Sequence, residues 1–199
     1  ITPKRWLEKP GSVGRPNPGQ VIEVRDDSGR TVSPGIVGTI YFKAPDEGRF
    51  EYYMDAQKTD TAYRGNFFTL GDLGYFDEDG YLFLSGRSAE VIISGGVNIY
   101  PAQVDAILLQ HPAIADAATV GAPNDEWGEE VKAVVELREG WAPSAELERE
   151  LIEHCRARLG HHECPRSVDF VDDLPRSETG KIYRRLVRDR YWSDRDRKI

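Results

Sequence analysis

The sequence predicts an α+β protein in two parts, a β-rich first part over residues 1–87 and an α/β second part over 88–199. Three observations carry that expectation. Up to Arg87 the chain reads as short strands separated by turns, and after it strands alternate with helical segments. Between the two regimes lies GRSAEVIISGGVNIYP (86–101), where a short apolar strand (Val91, Ile92, Ile93) meets a glycine turn, Gly95-Gly96. A glycine pair of this kind lets bare backbone approach a ligand, or simply closes a hairpin.

Residues 1–20 are rich in Pro and Gly and read as a connecting segment without an element of its own. A small all-β unit is expected over 10–87. VIEV (21–24) is a strand, Asp26–Gly29 a turn, and GIVGTIYF (35–42) a strand in which Ile36, Ile40 and Phe42 alternate with Val37, Thr39 and Tyr41. DLGYF (72–76) and YLFLSG (81–86) flank Asp77-Glu78-Asp79-Gly80, which has the chemistry of a reversing turn.

In the second part Pro101 suits a first helical turn, and Val104, Ile107 and Leu108 give that helix one apolar face ending near His111-Pro112. Residues 115–123 and 130–138 read as two strands. After Pro143, Ser144 is the expected N-cap of a helix whose Leu147, Leu151, Ile152, Cys155 and Leu159 share a face, so Cys155 reads as core. SVDFV (167–171) is a strand, 175–181 a loop, and Tyr183–Trp192 a terminal helix.

Composition narrows the function. The 199 residues carry a net charge of −8, whereas a nucleic-acid binder needs an excess of phosphate-neutralising cations. The exception is residues 176–199, with nine cations against four anions: a landing place for a phosphorylated ligand, or a solvated helix face. Two cysteines outside any CxxC pattern, with His161 and His162 beside Cys164, fall short of a zinc site, so no metal site is expected. No apolar run approaches the ~20 residues that cross a bilayer, and residues 1–11 lack a signal-peptide layout, so a cytoplasmic location is expected. The Gly180-Lys181 pair is no phosphate-binding loop, because that pattern needs glycine at Pro175 and a hydroxyl at Ile182.

Four strings in order, FFTLGDLGYFDEDGYLFLSGR (67–87), EVIISGGVNIYP (90–101), DEWGEEVKAVV (125–135) and CPRSVDFVDDLPRSETGKI (164–182), resemble the carboxy-terminal portion of AMP-forming acyl-CoA synthetases and their adenylate-forming relatives. The resemblance covers roughly residues 11–192. It implies that 1–87 is a barrel-like subdomain ending an amino-terminal adenylation core, and that 88–199 is a mobile lid with a mixed sheet flanked by helices. The implied reaction joins a carboxylic acid, expected to be fatty, to ATP as acyl-AMP and then passes the acyl group to CoA. ATP/AMP, CoA and Mg²⁺ are implied with it.

Position by position, the resemblance makes Lys181 the adenylation lysine, whose ammonium offsets repulsion between carboxylate and α-phosphate. Asp72 would accept from the ribose hydroxyls and Arg87 would sit near ribose and phosphate. Gly95 and Gly96 would line the pantetheine passage, with Asn98, Trp127, His162 and Cys164 near the CoA nucleotide. At 162 and 164 some relatives carry an aromatic and an arginine, a departure that bears on the phosphate grip. The hinge falls on Ala89, where Asp or Lys is common. Each has a plainer reading: Asp72 as a turn cap, Arg87 in an ion pair, Trp127 as packing, Lys181 as a loop lysine.

Nothing in the sequence matches the pyrophosphate loop, adenine motif or acyl pocket that precede this region in the family. The chain is therefore expected to be the last third of an enzyme, partnered by an amino-terminal core and inactive alone. Two alternatives stay open: the acceptor thiol belongs to a carrier protein, or the chain is a binding module without chemistry.

Overall fold

The structure is a computed structural model that describes residues 1–45 and 47–193. Asp194, Arg195, Asp196, Arg197 and Lys198 of the basic tail lie outside the described residues. The chain divides into two compact units, Ile1–Ala89 and Glu90–Ile199.

The first unit begins with a helix where the sequence suggested none. In α1 (Pro3–Glu8) Thr2 caps the amide of Arg5 and Pro3 occupies the first turn, which needs no proline N–H. Strands β1 (Ser12–Gly14), β2 (Ile22–Arg25) and β3 (Gly38–Lys43) follow. A second helix, α2 (Ala56–Ala62), is capped by the Asp55 carboxylate on the amide of Lys58. Beyond it come β4 (Tyr63–Arg64), β5 (Phe67–Phe68), β6 (Asp72–Phe76) and β7 (Leu82–Arg87). Helix α1 corrects the expectation that residues 1–20 hold no element, and α2 corrects that of an all-β unit over 10–87.

The strands form one antiparallel sheet in the order β1-β7-β6-β3-β5-β4, with β2 also on β3. Its ends, β1 and β4, do not pair with each other, so the sheet is open and the barrel-like expectation gives way to an open sheet. The core is small: Val24, Ile40 and Leu82, backed by Ile22, Val32, Phe42 and Phe76. Ile36 is exposed ahead of the strand and the neighbours Ile40 and Tyr41 are both buried, so the strict alternation expected over 35–42 does not hold. The β6–β7 hairpin is the part that matters for the site. Its turn is fixed by the Asp77 carboxylate, which accepts from the amide of Tyr81 at 2.8 Å and from Lys9 Nζ at 2.7 Å. A register shift falls at Leu73/Gly74, where any Cβ on Gly74 would stand 2.2 Å from the Phe83 carbonyl oxygen.

The second unit holds a mixed sheet. A hairpin, β8 (Ile92–Ser94) and β9 (Val97–Ile99), leads into α3 (Pro101–Leu108). A long antiparallel hairpin follows, β10 (Ile114–Asn124) and β11 (Gly128–Leu137). Ser144 caps α4 (Ala145–Arg156) on the amide of Leu147; β12 (Ser167–Val171) then pairs parallel with β11, and α5 (Arg184–Trp192) ends the described chain. The strand order is β10-β11-β8-β9, with β12 also on β11.

Both faces of this sheet are covered, which is why the middle of the hairpin, Ala117–Ala122 on β10 and Ala133–Val135 on β11, is buried residue after residue. On one face Val131, Ala133 and Val135 pack with Val104 and Leu108 of α3 and with Leu147, Leu151 and Cys155 of α4. On the other, Ala118, Val120 and Val134 pack with Leu174 and with Val187 of α5. A polar network centred on Arg184 runs among them. Arg184 donates to Asp105 Oδ2 at 2.7 Å, to the Thr119 carbonyl at 2.7 Å and to Glu90 Oε2 at 3.1 Å, tying α5 to α3, β10 and the first residue of the unit. Burial pushes the Asp105 carboxyl up, opposed by Arg184 and by the Thr119 amide that donates to it.

Candidate functional site

In the first unit Asp72 opens β6 and Arg87 closes β7, directly opposite in register. Arg87 Nε lies 3.2 Å from Asp72 Oδ1. The guanidinium side chain is 63% exposed and the carboxylate 27%, so the ion pair stands at the sheet end in contact with solvent. Gly71, at φ +82°, brings the chain into β6 and accepts from the Ser88 amide at 2.9 Å, which ties the strand entry to the residue after Arg87. A cleft of about 450 Å³ elsewhere in the unit, lined by Val21, Phe42, Lys43 and Phe68 among others, includes neither residue. Ala89 is exposed in a 3₁₀ turn, Ser88–Glu90, through which the boundary between the units runs.

In the second unit the β8–β9 turn is built on two left-handed glycines, Gly95 at φ +57° and Gly96 at +82°. The Gly95 amide donates to the Trp127 carbonyl at 2.9 Å. The indole covers Gly95 so closely that a Cβ there would stand 2.5 Å from Trp127 Cε3, whereas one on Gly96 meets nothing within 4 Å. Trp127 is itself held by Asn124, whose Oδ1 accepts from the amides of Glu126 and Trp127, each at 3.0 Å.

His162 and Arg166 complete a surface around the indole. The imidazole centroid of His162 is 6.2 Å from that of Trp127, and the Arg166 guanidinium lies 5.1 Å over the indole. Asn98 is exposed on β9. Arg166 is the residue the sequence reading missed, and it supplies a cation where residue 164 does not. Cys164 is only 6% exposed: its thiol donates to the Gly160 carbonyl at 3.3 Å within the core. The expectation that Cys164 lies on a ligand-facing surface is thus corrected. Burial pushes its thiol up, and pushes Cys155 up to about 12, so neither is a ready nucleophile. Among the described residues no three His, Cys, Asp or Glu side chains are placed to hold a metal ion.

Lys181 lies on a closed loop. The Lys181 carbonyl accepts from the Ser177 amide at 2.8 Å, the Lys181 amide donates to Ser177 Oγ at 3.1 Å, and the Gly180 amide donates to the Ser177 carbonyl at 2.9 Å. The side chain is exposed, and among the described residues its ammonium has no ion-pair or hydrogen-bond partner. A free, projected ammonium on a fixed loop can meet an anion without first breaking a bond.

The glycine turn and the lysine loop sit at opposite ends of the β10–β11 hairpin. The loop is tied through Arg176 to Asp116 and Glu136, which pair at the open end, while Trp127 belongs to the turn between Asn124 and Gly128 at the closed end. The eight steps along β10 from Asp116 to Asn124 span about 26 Å at ~3.3 Å per residue. No described helix is long and apolar enough to cross a membrane.

Residues 103–181 match the family model of the AMP-binding enzyme C-terminal domain. The rat (Rattus norvegicus) acyl-coenzyme A synthetase ACSM3, mitochondrial, is 38% identical over 191 residues, 93% of this chain and 33% of that protein. The fatty acid–acyl-carrier-protein ligase ScoC of Streptomyces coeruleorubidus is 38% identical over 188 residues, 94% of this chain and 36% of that protein. Among solved structures, o-succinylbenzoate CoA synthetase (MenE) from Bacillus subtilis, in complex with the acyl-adenylate intermediate OSB-AMP, is similar with a TM-score of 0.83 and 33% identity, covering 95% of this chain and 38% of that one. The chain spans about a third of the length of the curated relatives it matches.

Proposed function

We propose, from the premise that this chain is the carboxy-terminal portion of an adenylate-forming ligase, that it serves an AMP-forming acyl-CoA synthetase. In this reading an acid attacks the α-phosphate of ATP to give acyl-AMP and pyrophosphate, and the thiol of CoA then takes the acyl group and releases AMP. The acid is a fatty acid, ATP arrives with Mg²⁺, and the enzyme works in the cytoplasm together with an amino-terminal adenylation core.

The observation that carries the proposal is the separation of two stations on one compact unit. Lys181 stands at one end of the long hairpin and the Gly95–Trp127 surface at the other. A single placement of the unit cannot bring both ends to one reacting carbonyl, because proximity catalysis needs atoms within ~3–3.5 Å. We therefore assign each end to one half-reaction, with Ala89 as the pivot between them; a hinge asks only for backbone torsions that alanine permits.

In the first half-reaction the Lys181 ammonium lies between two anions and stabilises the charge that gathers on the α-phosphate oxygens. Asp72 accepts from the ribose hydroxyls with the carboxylate oxygens left by Arg87, and Arg87 lends positive charge beside them. In the second, the side-chain-free turn at Gly95-Gly96 admits the pantetheine arm. Trp127 offers a face to adenine, and Arg166, His162 and Asn98 offer polar contacts to the nucleotide. The Streptomyces relative's acceptor, by its name, is a carrier protein, so a carrier phosphopantetheine is the second reading.

The test is AMP release from ATP, Mg²⁺, CoA and a panel of carboxylic acids, by the chain alone and joined to its amino-terminal core. The proposal expects no release alone, release on joining, and acyl-CoA as product. Product on a carrier but not on CoA selects the second reading. A folded, joined protein that releases no AMP with any acid refutes both.

A further inference from the structure

The Lys181 loop is short and exposed, yet it is bolted to the sheet at one point. Arg176, at the loop's base, donates from Nη1 to Asp116 Oδ2 at 2.8 Å and from Nη2 to Glu136 at 3.1 and 3.0 Å. The same guanidinium reaches the carbonyl of Gly180, the residue before Lys181, at 3.5 Å. Glu136 also accepts from the amide of Leu174, so one carboxylate holds the chain on entry to the loop and the arginine within it. Asp116 and Glu136 are Cα partners on β10 and β11, in the longest strand pairing of the unit, and their side chains are only 28% and 16% exposed. A β-bridge between Arg176 and Ile182 and the Tyr183 amide on the Pro175 carbonyl at 2.7 Å close the loop behind them.

We infer that Arg176, clamped by Asp116 and Glu136, is a positioning residue that fixes the Lys181 loop on the end of the β10–β11 hairpin for the adenylation half-reaction. The inference rests on the adenylation reading of Lys181. Its physical basis is the cost of misplacement. Lys181 carries four freely rotating methylenes, so the backbone from which it starts is the only part of its position the protein can fix in advance. A forked arginine on two carboxylates fixes both distance and angle, which a lysine at 176 cannot reproduce. Arg176 touches no reacting atom.

Two measurements decide it. In the 199-residue chain, Arg176→Ala releases the loop, and hydrogen exchange at the Gly180 and Lys181 amides accelerates at least about 10-fold while the β10–β11 amides stay protected. In the complete enzyme, with an acid the parent turns over, Arg176→Ala slows ATP–pyrophosphate exchange by about 10–10² while acyl transfer from preformed acyl-adenylate to CoA stays within about 2-fold. Arg176→Lys recovers part of the rate. Glu136→Gln, which keeps an acceptor for Leu174, gives a smaller loss in the same half-reaction, and the double variant is no worse than Arg176→Ala alone. A general structural role would depress both half-reactions equally, and that result overturns the inference, as does unchanged exchange in both assays. Lys181→Ala is the companion control. If it leaves pyrophosphate exchange intact, the adenylation reading itself fails; if it abolishes exchange and Arg176→Ala does not, only the positioning role fails.

Discussion

Replacing Gly95 by alanine adds one methyl group at the point where the β8–β9 turn meets the Trp127 indole. That methyl would stand 2.5 Å from Cε3 and 2.9 Å from Cζ3. The shortfall from ordinary carbon–carbon contact is about 1 Å. Two costs follow. Alanine at φ +57° costs about 1 kcal/mol in the left-handed region, and the overlap adds about 1–3 kcal/mol unless the indole moves. Gly96→Ala is the internal control, since it has φ +82° but open space around its Cβ, and should show only the first cost of about 1 kcal/mol. The measurement is urea unfolding of both variants, followed by far-UV circular dichroism, alongside acyl transfer from preformed acyl-adenylate to CoA in the complete enzyme. Gly95→Ala should be the less stable by about 1–3 kcal/mol, or else keep its stability by displacing Trp127 and lose acyl transfer. Both variants equally stable and equally active in transfer would refute the close packing of glycine and indole and the role assigned to that surface.

Two further predictions come from the second unit. Arg184→Met leaves Asp105 buried without its partner and should destabilise the chain by about 3 kcal/mol or more in urea unfolding; adding Asp105→Asn, which removes the stranded charge but keeps an acceptor for Thr119, should recover part of the loss. Acid should weaken the α3–α4 contact. His154 donates from Nε2 to the Ile107 carbonyl at 3.0 Å and faces Arg158 with Nδ1 at 3.3 Å, so burial and that cation hold its pKa below the usual 6.5. A histidine depressed in the folded state binds fewer protons there than when unfolded, so its contribution is present above pH 6.5 and is lost as pH falls below it. The melting temperature should therefore drop on going from pH 7 to 5.5, by less in His154→Gln; an equal drop in both would remove His154 from the account.

How much of this was legible in the sequence follows the range of the forces involved. The Asp77–Gly80 hairpin, the Ser144 cap and the apolar face of α4 are local patterns, and each stands where the spacing put it. Helix α1 buries no residue and α2 only Thr59 and Ala62, so neither has the apolar stripe that makes a helix readable. An open rather than closed first sheet depends on whether β1 meets β4, which no short stretch records. The site divides in the same way. Gly95-Gly96 and the Lys181 loop are visible as motifs, but Arg166 joins Trp127 across 39 positions, and Arg184 reaches Glu90 across 94. Cys164 was misplaced because its neighbours His161, His162 and Arg166 all face solvent, while the chain turns its side chain inward against Gly160.

The most direct test of the two-station account is the pair of half-reaction rates for Lys181→Ala in the complete enzyme. The account predicts that ATP–pyrophosphate exchange falls by at least ~10², from loss of charge stabilisation at the α-phosphate, while acyl transfer from preformed acyl-adenylate to CoA stays within about 2-fold. Exchange at the parent rate, or an equal loss in both half-reactions, would contradict it.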